Sequence, residues 1–231
     1  MFERPHHRRI LQLLERMDDR FLADAGCCFG GGTCAALLLD EYRESVDIDF
    51  LCASGPGYRQ LRSTVTNQSL GALFRTTPQL MRDVRADRYG IRTVLEIDNT
   101  PIKFEIVLEA RIQLGCERVP QLPIPVLNRA SQIAEKLLAN SDRGADRGTC
   151  ARDAIDLIMM FHHWGEPRAQ AWEIAERAYG PLVRADLEKT LARLAGDPAW
   201  LTDCLSRLQV KESARHIIRG CLSEREGLPV L

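Results

Sequence analysis

The chain has 231 residues, 45% hydrophobic and 27% charged, which excludes a disordered or fibrous protein and allows a substantial core without disulfide staples. Lys and Arg number 31 against 32 Asp and Glu, a formal charge of −1 that excludes a polycation gripping nucleic acid by bulk charge but not a local basic patch. No apolar run approaches the roughly 18–20 residues of a membrane span, and Arg4, His6, His7, Arg8 and Arg9 lead into Glu15, Asp18 and Asp19 rather than a secretory leader, so a cytoplasmic protein without a membrane partner is expected.

In chain order, Leu11, Leu13, Leu14, Met17, Phe21 and Leu22 predict an amphipathic helix over 10–22. Residues 27–32 are too rich in glycine for a helix interior, and a second, shorter helix is expected over 34–39. Strict alternation in Ser45-Val46-Asp47-Ile48-Asp49-Phe50-Leu51 predicts a half-buried strand, closed by Gly55-Pro56-Gly57. Helices are expected around 58–66 and 78–85. Residues 92–98 and 102–108 alternate as the arms of a hairpin, with Asn99-Thr100-Pro101 as its turn. Pro120, Pro123 and Pro125 mark a linker. Beyond it, helical periodicity runs over 130–140, 149–164, 168–178, 182–194 and 212–222. The expected architecture is α+β, with a mixed sheet and flanking helices over residues 1–126 and an all-helical part over 127–231 that closes a cleft.

The eight cysteines (27, 28, 34, 52, 116, 150, 204, 221) contain no Cys-x-x-Cys pair and no zinc spacing with the five histidines. They read as reduced, mostly buried thiols, and His162-His163 reads as structural.

Four features carry chemistry. Gly30-Gly31-Gly32-Thr33 precedes a helix, where bare backbone N–H groups and the helix dipole suit an anion. Gly32 stands where a P-loop has its lysine, which disfavours a P-loop NTPase. Asp47-Ile48-Asp49 puts two carboxylates on one strand face, with Cα atoms roughly 6–7 Å apart. A hard divalent cation such as magnesium would relieve their repulsion. Glu105, between inward-facing Phe104 and Ile106, becomes a third carboxylate if its strand lies beside theirs; such a trio can hold two cations for phosphoryl or nucleotidyl displacement. Glu96 and Asp98, close to the turn, read as solvated. In the helical half, Lys136 is one of only four lysines against 27 arginines. It lies upstream of Asp142-Arg143 and of Arg152-Asp153-x-x-Asp156, where Arg152 and Asp156 have the spacing of an ordinary helix ion pair.

Taken in order, Gly31-Gly32-Thr33, Arg43-x-Ser45-x-Asp47-Ile48-Asp49-Phe50, Lys103-Phe104-Glu105, Lys136-Leu137-x-Ala139 with Asp142-Arg143, and Arg152-Asp153-x-x-Asp156-Leu157 resemble the AbiEii/AbiGii-type nucleotidyltransferases. These are toxins of abortive-infection and toxin–antitoxin systems within the DNA polymerase β-like superfamily. The resemblance spans about residues 26–157. It implies transfer of a nucleotidyl group from an NTP, with two magnesium ions, to an acceptor hydroxyl. Asp47, Asp49 and Glu105 would be catalytic and hold the metals, Glu105 also helping to deprotonate the acceptor. Gly31, Gly32, Thr33, Ser45, Lys136 and Arg152 would bind the substrate, and Asp153 would be a further catalytic residue. A tRNA acceptor and a cognate antitoxin protein are implied as partners. Thr33 replaces the serine of the superfamily pattern and Glu105 an aspartate; neither removes a functional group. Between Gly55 and Arg92 there are seven arginines and two aspartates, a composition that suits an RNA backbone or a triphosphate if they share a face, and Tyr58, Phe74 and Tyr89 interleave with them as a thin supply of stacking platforms. The alternatives are the same chemistry on a small molecule, or a non-catalytic nucleotide-binding module.

Overall fold

A computed structural model describes residues 2–165 and 169–224. The chain divides into two compact units: one comprises the residues up to Leu38 and Ser45–Asn128, the other Leu39–Glu44 and the residues from Arg129 onward. The short return of Leu39–Glu44 to the second unit interrupts the first, and no linker composition marks it.

The first unit opens with α1 (Pro5–Glu15) and α2 (Asp19–Asp24). The single helix expected over 10–22 is broken because Asp18 caps α2, its carboxylate accepting from the N–H groups of Arg20 and Phe21. β1 (Cys27–Gly30) is buried on both faces and so lacks the alternation that reveals a strand. α3 (Gly31–Leu38) follows with no intervening loop. β2 (Ile48–Cys52) is the predicted strand. The segment read as closing it, Gly55-Pro56-Gly57, instead opens α4 (Gly55–Ser63), with Ser54 as the cap and Pro56 in the first turn.

The helix expected over 78–85 does not form. β3 (Gln79–Leu80) and β4 (Arg85–Ala86) each pair antiparallel with β5 (Gly90–Ile97), pairing that overrides a weak local helical pattern. β5 and β6 (Thr100–Leu108) make the expected hairpin. Its turn is the two residues Asp98 and Asn99, at φ 49° and 56°, a geometry that matches strand twist. β7 (Cys116–Glu117) and β8 (Val126–Leu127) complete a mixed sheet in the order β3-β5-β6-β2-β1-β8-β7, with β2 parallel to β6, and β1 parallel to β8 but antiparallel to β2. One face buries the core, including Phe29, Phe50, Phe104 and Ile106.

Cys28 and Cys116 form a disulfide joining β1 to β7, with Cα atoms 6.0 Å apart; this corrects the expectation that every thiol is reduced. The other cysteines are free, and all but Cys221 are buried.

The second unit is helical: α5 (Arg129–Arg143), α6 (Arg152–Trp164), α7 (Ala169–Tyr179), α8 (Leu182–Gly196), α9 (Pro198–Arg207) and α10 (Glu212–Ser223). α5 packs against α6, α7 and α8, and α10 against α6 and α8. Arg168, the expected start of α7, lies outside the described residues. α9 escaped the periodicity, although Asp197 caps it and Pro198 occupies its first turn. The return segment Leu39–Glu44 is stitched to these helices through Glu44 N–H to the Leu208 carbonyl and Lys211 N–H to the Tyr42 carbonyl. Among the described residues no helix is long and apolar enough to cross a membrane.

Candidate active site

Alternation along β2 sends Ile48 and Phe50 into the core and leaves Asp49 partly exposed. Asp47 immediately precedes β2 and is partly exposed; the strand expected from Ser45 starts three residues later, at Ile48. β6 repeats the pattern: Phe104 and Ile106 are buried, and Glu105 lies on the open side. Register then aligns four strands, with Gly30 opposite Asp49, Asp49 opposite Glu105, and Glu105 opposite Arg92. At about 4.8 Å between strands, this row spans roughly 14 Å and carries two adjacent carboxylates at its centre.

The turn from β1 into α3 abuts that row. Gly31 sits at φ +69°, and a Cβ there would lie 2.7 Å from Asp49 Oδ2 and 3.0 Å from Asp49 Cβ. Glycine is therefore required twice, by the backbone and by the carboxylate beside it. Gly31 and Gly32 are partly exposed at the N-terminal turn of α3, whose first N–H groups have no partner within the helix. Thr33 is fully buried. Its hydroxyl donates to the Asp47 carbonyl at 2.5 Å and lies 2.9 Å from the Ser45 hydroxyl. The side chain expected on phosphate thus braces the strand entering Asp47, and what Thr33 can offer an anion is its N–H. Ser45 is tied in turn through its own N–H to His7 Nε2 at 3.2 Å.

Glu105 has cationic neighbours: Arg92 Nε donates to Oε1 at 2.5 Å, and Lys103 Nζ is 3.3 Å from Oε2. Among the described residues no three His, Cys, Asp or Glu side chains gather closely enough to cage a metal ion by themselves. The donors present are nonetheless carboxylate oxygens, two of them in register. That set fits magnesium, which binds through one or two carboxylates and takes its remaining oxygens from water or substrate phosphate.

The helical unit holds charge differently. Asp156 is fully buried, receiving Arg43 at 2.7 Å (Nε) and 3.0 Å (Nη2), the Tyr42 hydroxyl, and Lys136 Nζ at 2.6 Å. Asp153 accepts from Lys136 at 3.0 Å and from Arg143 at 2.6 and 2.8 Å. Burial alone would raise the pKa of both aspartates; for Asp153 the charges of Lys136 and Arg143 reverse this, and for Asp156 those of Arg43 and Lys136 do, so both lie below the usual carboxylate range. Burial likewise opposes charge on Lys136, and Asp156 and Asp153 overcome it, raising its pKa. Arg152, at the start of α6, is exposed. The expected Arg152–Asp156 helix pair is not made, because Asp156 turns inward to Arg43 and Lys136.

The structure thus brings Asp49, Glu105 and the Gly31 turn together in one unit, with Asp47 just ahead of the strand that carries Asp49, and places Lys136, Arg152 and Asp153 in the other. Sequence reasoning missed Arg92, whose position opposite Glu105 follows only from hairpin register. It also missed the pairing of Arg43 with Asp156, 113 residues apart.

Comparison with solved structures finds JHP933 from Helicobacter pylori, at 16% identity, with 98% of this chain and 97% of that one covered and a TM-score of 0.48. It also finds an antigenic nucleotidyltransferase-like protein from Paracoccidioides brasiliensis, at 14% identity, covering 92% and 97%, with a TM-score of 0.42. No curated protein matches the chain. A family model, the nucleotidyl transferase AbiEii toxin of type IV toxin–antitoxin systems, matches residues 12–221. The chain therefore belongs to the AbiEii nucleotidyltransferase toxin family and is a nucleotidyltransferase.

Proposed function

We propose that this enzyme transfers a nucleotidyl group from an NTP to a hydroxyl of an RNA acceptor, with tRNA the class the family resemblance suggests, and that it uses magnesium. The observation that carries the reading is the row of Asp49 and Glu105 beside the Gly31 turn. Bound magnesium would neutralise the polyphosphate and polarise the transferred phosphorus centre. Asp47 and Asp49 hold it, and Glu105 supplies a further oxygen and is the carboxylate assigned to the acceptor's proton. The N–H groups of Gly31, Gly32 and Thr33 meet phosphate oxygens at the helix terminus, and Ser45 holds the approach to Asp47 through the Thr33 hydroxyl. In the helical unit Lys136 is assigned to the triphosphate and Asp153 to fixing its ammonium, with the exposed Arg152 as a second cation.

The arginine-rich stretch supports an RNA acceptor in part. Arg75 pairs with Asp18 and Asp19, and Arg92 with Glu105 and Asp87. Arg59, Arg62, Arg82, Arg85 and Arg88 are exposed. Tyr58 and Phe74 are buried and unavailable to bases, which leaves Tyr89, 57% exposed with the Arg88 guanidinium 4.6 Å from its ring centre. A cognate antitoxin is the partner that membership of a type IV system implies.

The test is incubation with each labelled NTP and magnesium, with total RNA or small hydroxyl compounds as acceptor. Label entering RNA, and lost in Asp47→Asn and Asp49→Asn proteins with unchanged circular dichroism, is the expected result. Label on small molecules alone would reassign the acceptor, and nucleotide binding without product would leave a non-catalytic module.

A further inference from the structure

Arg92 is held between two carboxylates. Directly across the antiparallel β5–β6 pair, its Nε donates to Glu105 Oε1 at 2.5 Å, while its Nη1 lies 3.7 Å from Asp87 Oδ2. Lys103, two residues before Glu105 on the same face of β6, brings its ammonium to 3.3 Å from the other oxygen, Oε2. Each oxygen of the Glu105 side chain therefore faces a cation supplied by the chain itself. The Glu105 side chain is only 16% exposed, against 40% for Arg92 and 54% for Lys103, so the two cations cover the solvent side of the carboxylate. Asp49, the next residue across the sheet from Glu105, lies on the side away from Arg92.

We propose that Arg92 is a positioning residue that competes with the divalent cation for Glu105, with Asp87 as the alternate partner that receives the guanidinium when the cation takes the carboxylate. The inference rests on the reading of Glu105 as a metal ligand. A guanidinium has a fixed fork of donors and stays charged at every working pH, so it holds Glu105 in one orientation along the row. It also sets a threshold that a cation must exceed before both central carboxylates join. Asp87 is suited to the alternate role because its other oxygen, Oδ1, is fixed by the N–H groups of Tyr89 and Gly90, which leaves Oδ2 facing Arg92 from a stationary site. Lys103 adds to the threshold less strongly, being more exposed and farther from its oxygen.

The experiment is titration of the purified full chain with Mn2+ alone, read by the electron paramagnetic resonance of free Mn2+, with thermal unfolding as the control for folding. Arg92→Gln should bind Mn2+ about two- to fivefold more tightly than wild type, the size of one partly exposed charge pair removed. Lys103→Gln should tighten binding by a smaller factor. Asp87→Asn keeps the Oδ1 acceptor but removes the alternate partner's charge, and should weaken binding. Arg92→Lys retains the charge and should return the affinity to near wild type. Unchanged or weaker binding in Arg92→Gln, or tighter binding in Asp87→Asn, overturns the competition. Glu105→Gln separates this failure from the failure of the underlying reading. If it leaves Mn2+ affinity unchanged, Glu105 is not a ligand and both fall; if it weakens binding while Arg92→Gln fails to tighten it, only the role of Arg92 falls.

Discussion

Replacing Gly31 by alanine separates what the glycine does for the backbone from what it does for Asp49. The position sits at φ +69°, where a residue with a Cβ loses about 1–2 kcal/mol. Against a typical stability of about 5–15 kcal/mol the fold survives that loss, and for a chain of this size melting should drop by roughly 2–8 °C. The added carbon would also stand 2.7 Å from Asp49 Oδ2 and 3.0 Å from its Cβ, so the carboxylate must give way by several tenths of an ångström or rotate. A displacement of about 1 Å at reacting groups costs on the order of a hundredfold in rate, and half of that implies a loss of transfer of about tenfold or more. Gly26 supplies the control. It has nearly the same backbone angle, φ +62°, but a Cβ there meets only Ser54 Cβ at an ordinary 3.7 Å. Gly26→Ala should therefore cost similar stability and leave transfer unchanged. The assay pairs thermal unfolding with transfer of labelled NTP to RNA, both below the melting range. Equal loss of transfer in the two variants, or near wild-type transfer by Gly31→Ala, would refute the argument that this glycine makes room for a working carboxylate.

Two further expectations concern the helical unit. Asp156→Ala leaves Arg43 and Lys136 buried with one fewer counter-charge and should cost about 3–5 kcal/mol in urea unfolding, the usual penalty for orphaning one side of a buried pair; a loss below about 1 kcal/mol would show that the cluster is not the anchor it resembles. Because Asp153 and Asp156 have depressed pKa values when folded, only the unfolded chain takes up protons at these residues just below about pH 4, so stability should be at its full value above that pH and fall as acid is added. Urea midpoints measured from pH 7 to pH 2 check this, and an Asp156→Ala protein should show a shallower acid limb.

Elements with a free face announced themselves, and those without one did not. β2 and β6 alternate because one side meets the core and the other carries Asp49 and Glu105, and that same alternation identified the candidate carboxylates. β1 is covered on both sides and reads as four apolar or small residues. β3 and β4, two residues each, exist only by pairing with β5, which no local pattern encodes. The hairpin shows how a small error propagates. A three-residue turn at 99–101 would set Arg92 against Leu108, whereas the Asp98-Asn99 turn sets it against Glu105. One misjudged turn therefore hid the cation nearest the site, because register is inherited along the whole ladder. The Arg43–Asp156 pair was illegible for a different reason: an ion pair across 113 residues leaves no periodic trace.

The motif pieces that identified the family are alike in composition, acidic residues with a lysine or arginine close by, yet the two units use them under opposite electrostatic rules. Asp153 and Asp156 are almost wholly removed from water, and each is answered by at least two cationic groups. Burial of that kind is tolerable only when compensation is built in, and it makes these carboxylates poor receivers of a cation from solution. Asp47, Asp49 and Glu105 keep some solvent access, and the two cations on Glu105, Arg92 and Lys103, are themselves 40% and 54% exposed, so that pairing is screened by water and is easier for an external cation to displace. The same contrast bears on Lys136. An ammonium fixed by two carboxylates cannot swing out to collect a ligand, so any charge it lends a triphosphate must act from where it already stands. Its value would then lie in preorganisation, which costs no rearrangement when the reaction occurs. Which rule governs a given acidic residue depends on its depth and on partners far along the chain, neither of which is written in the residues beside it.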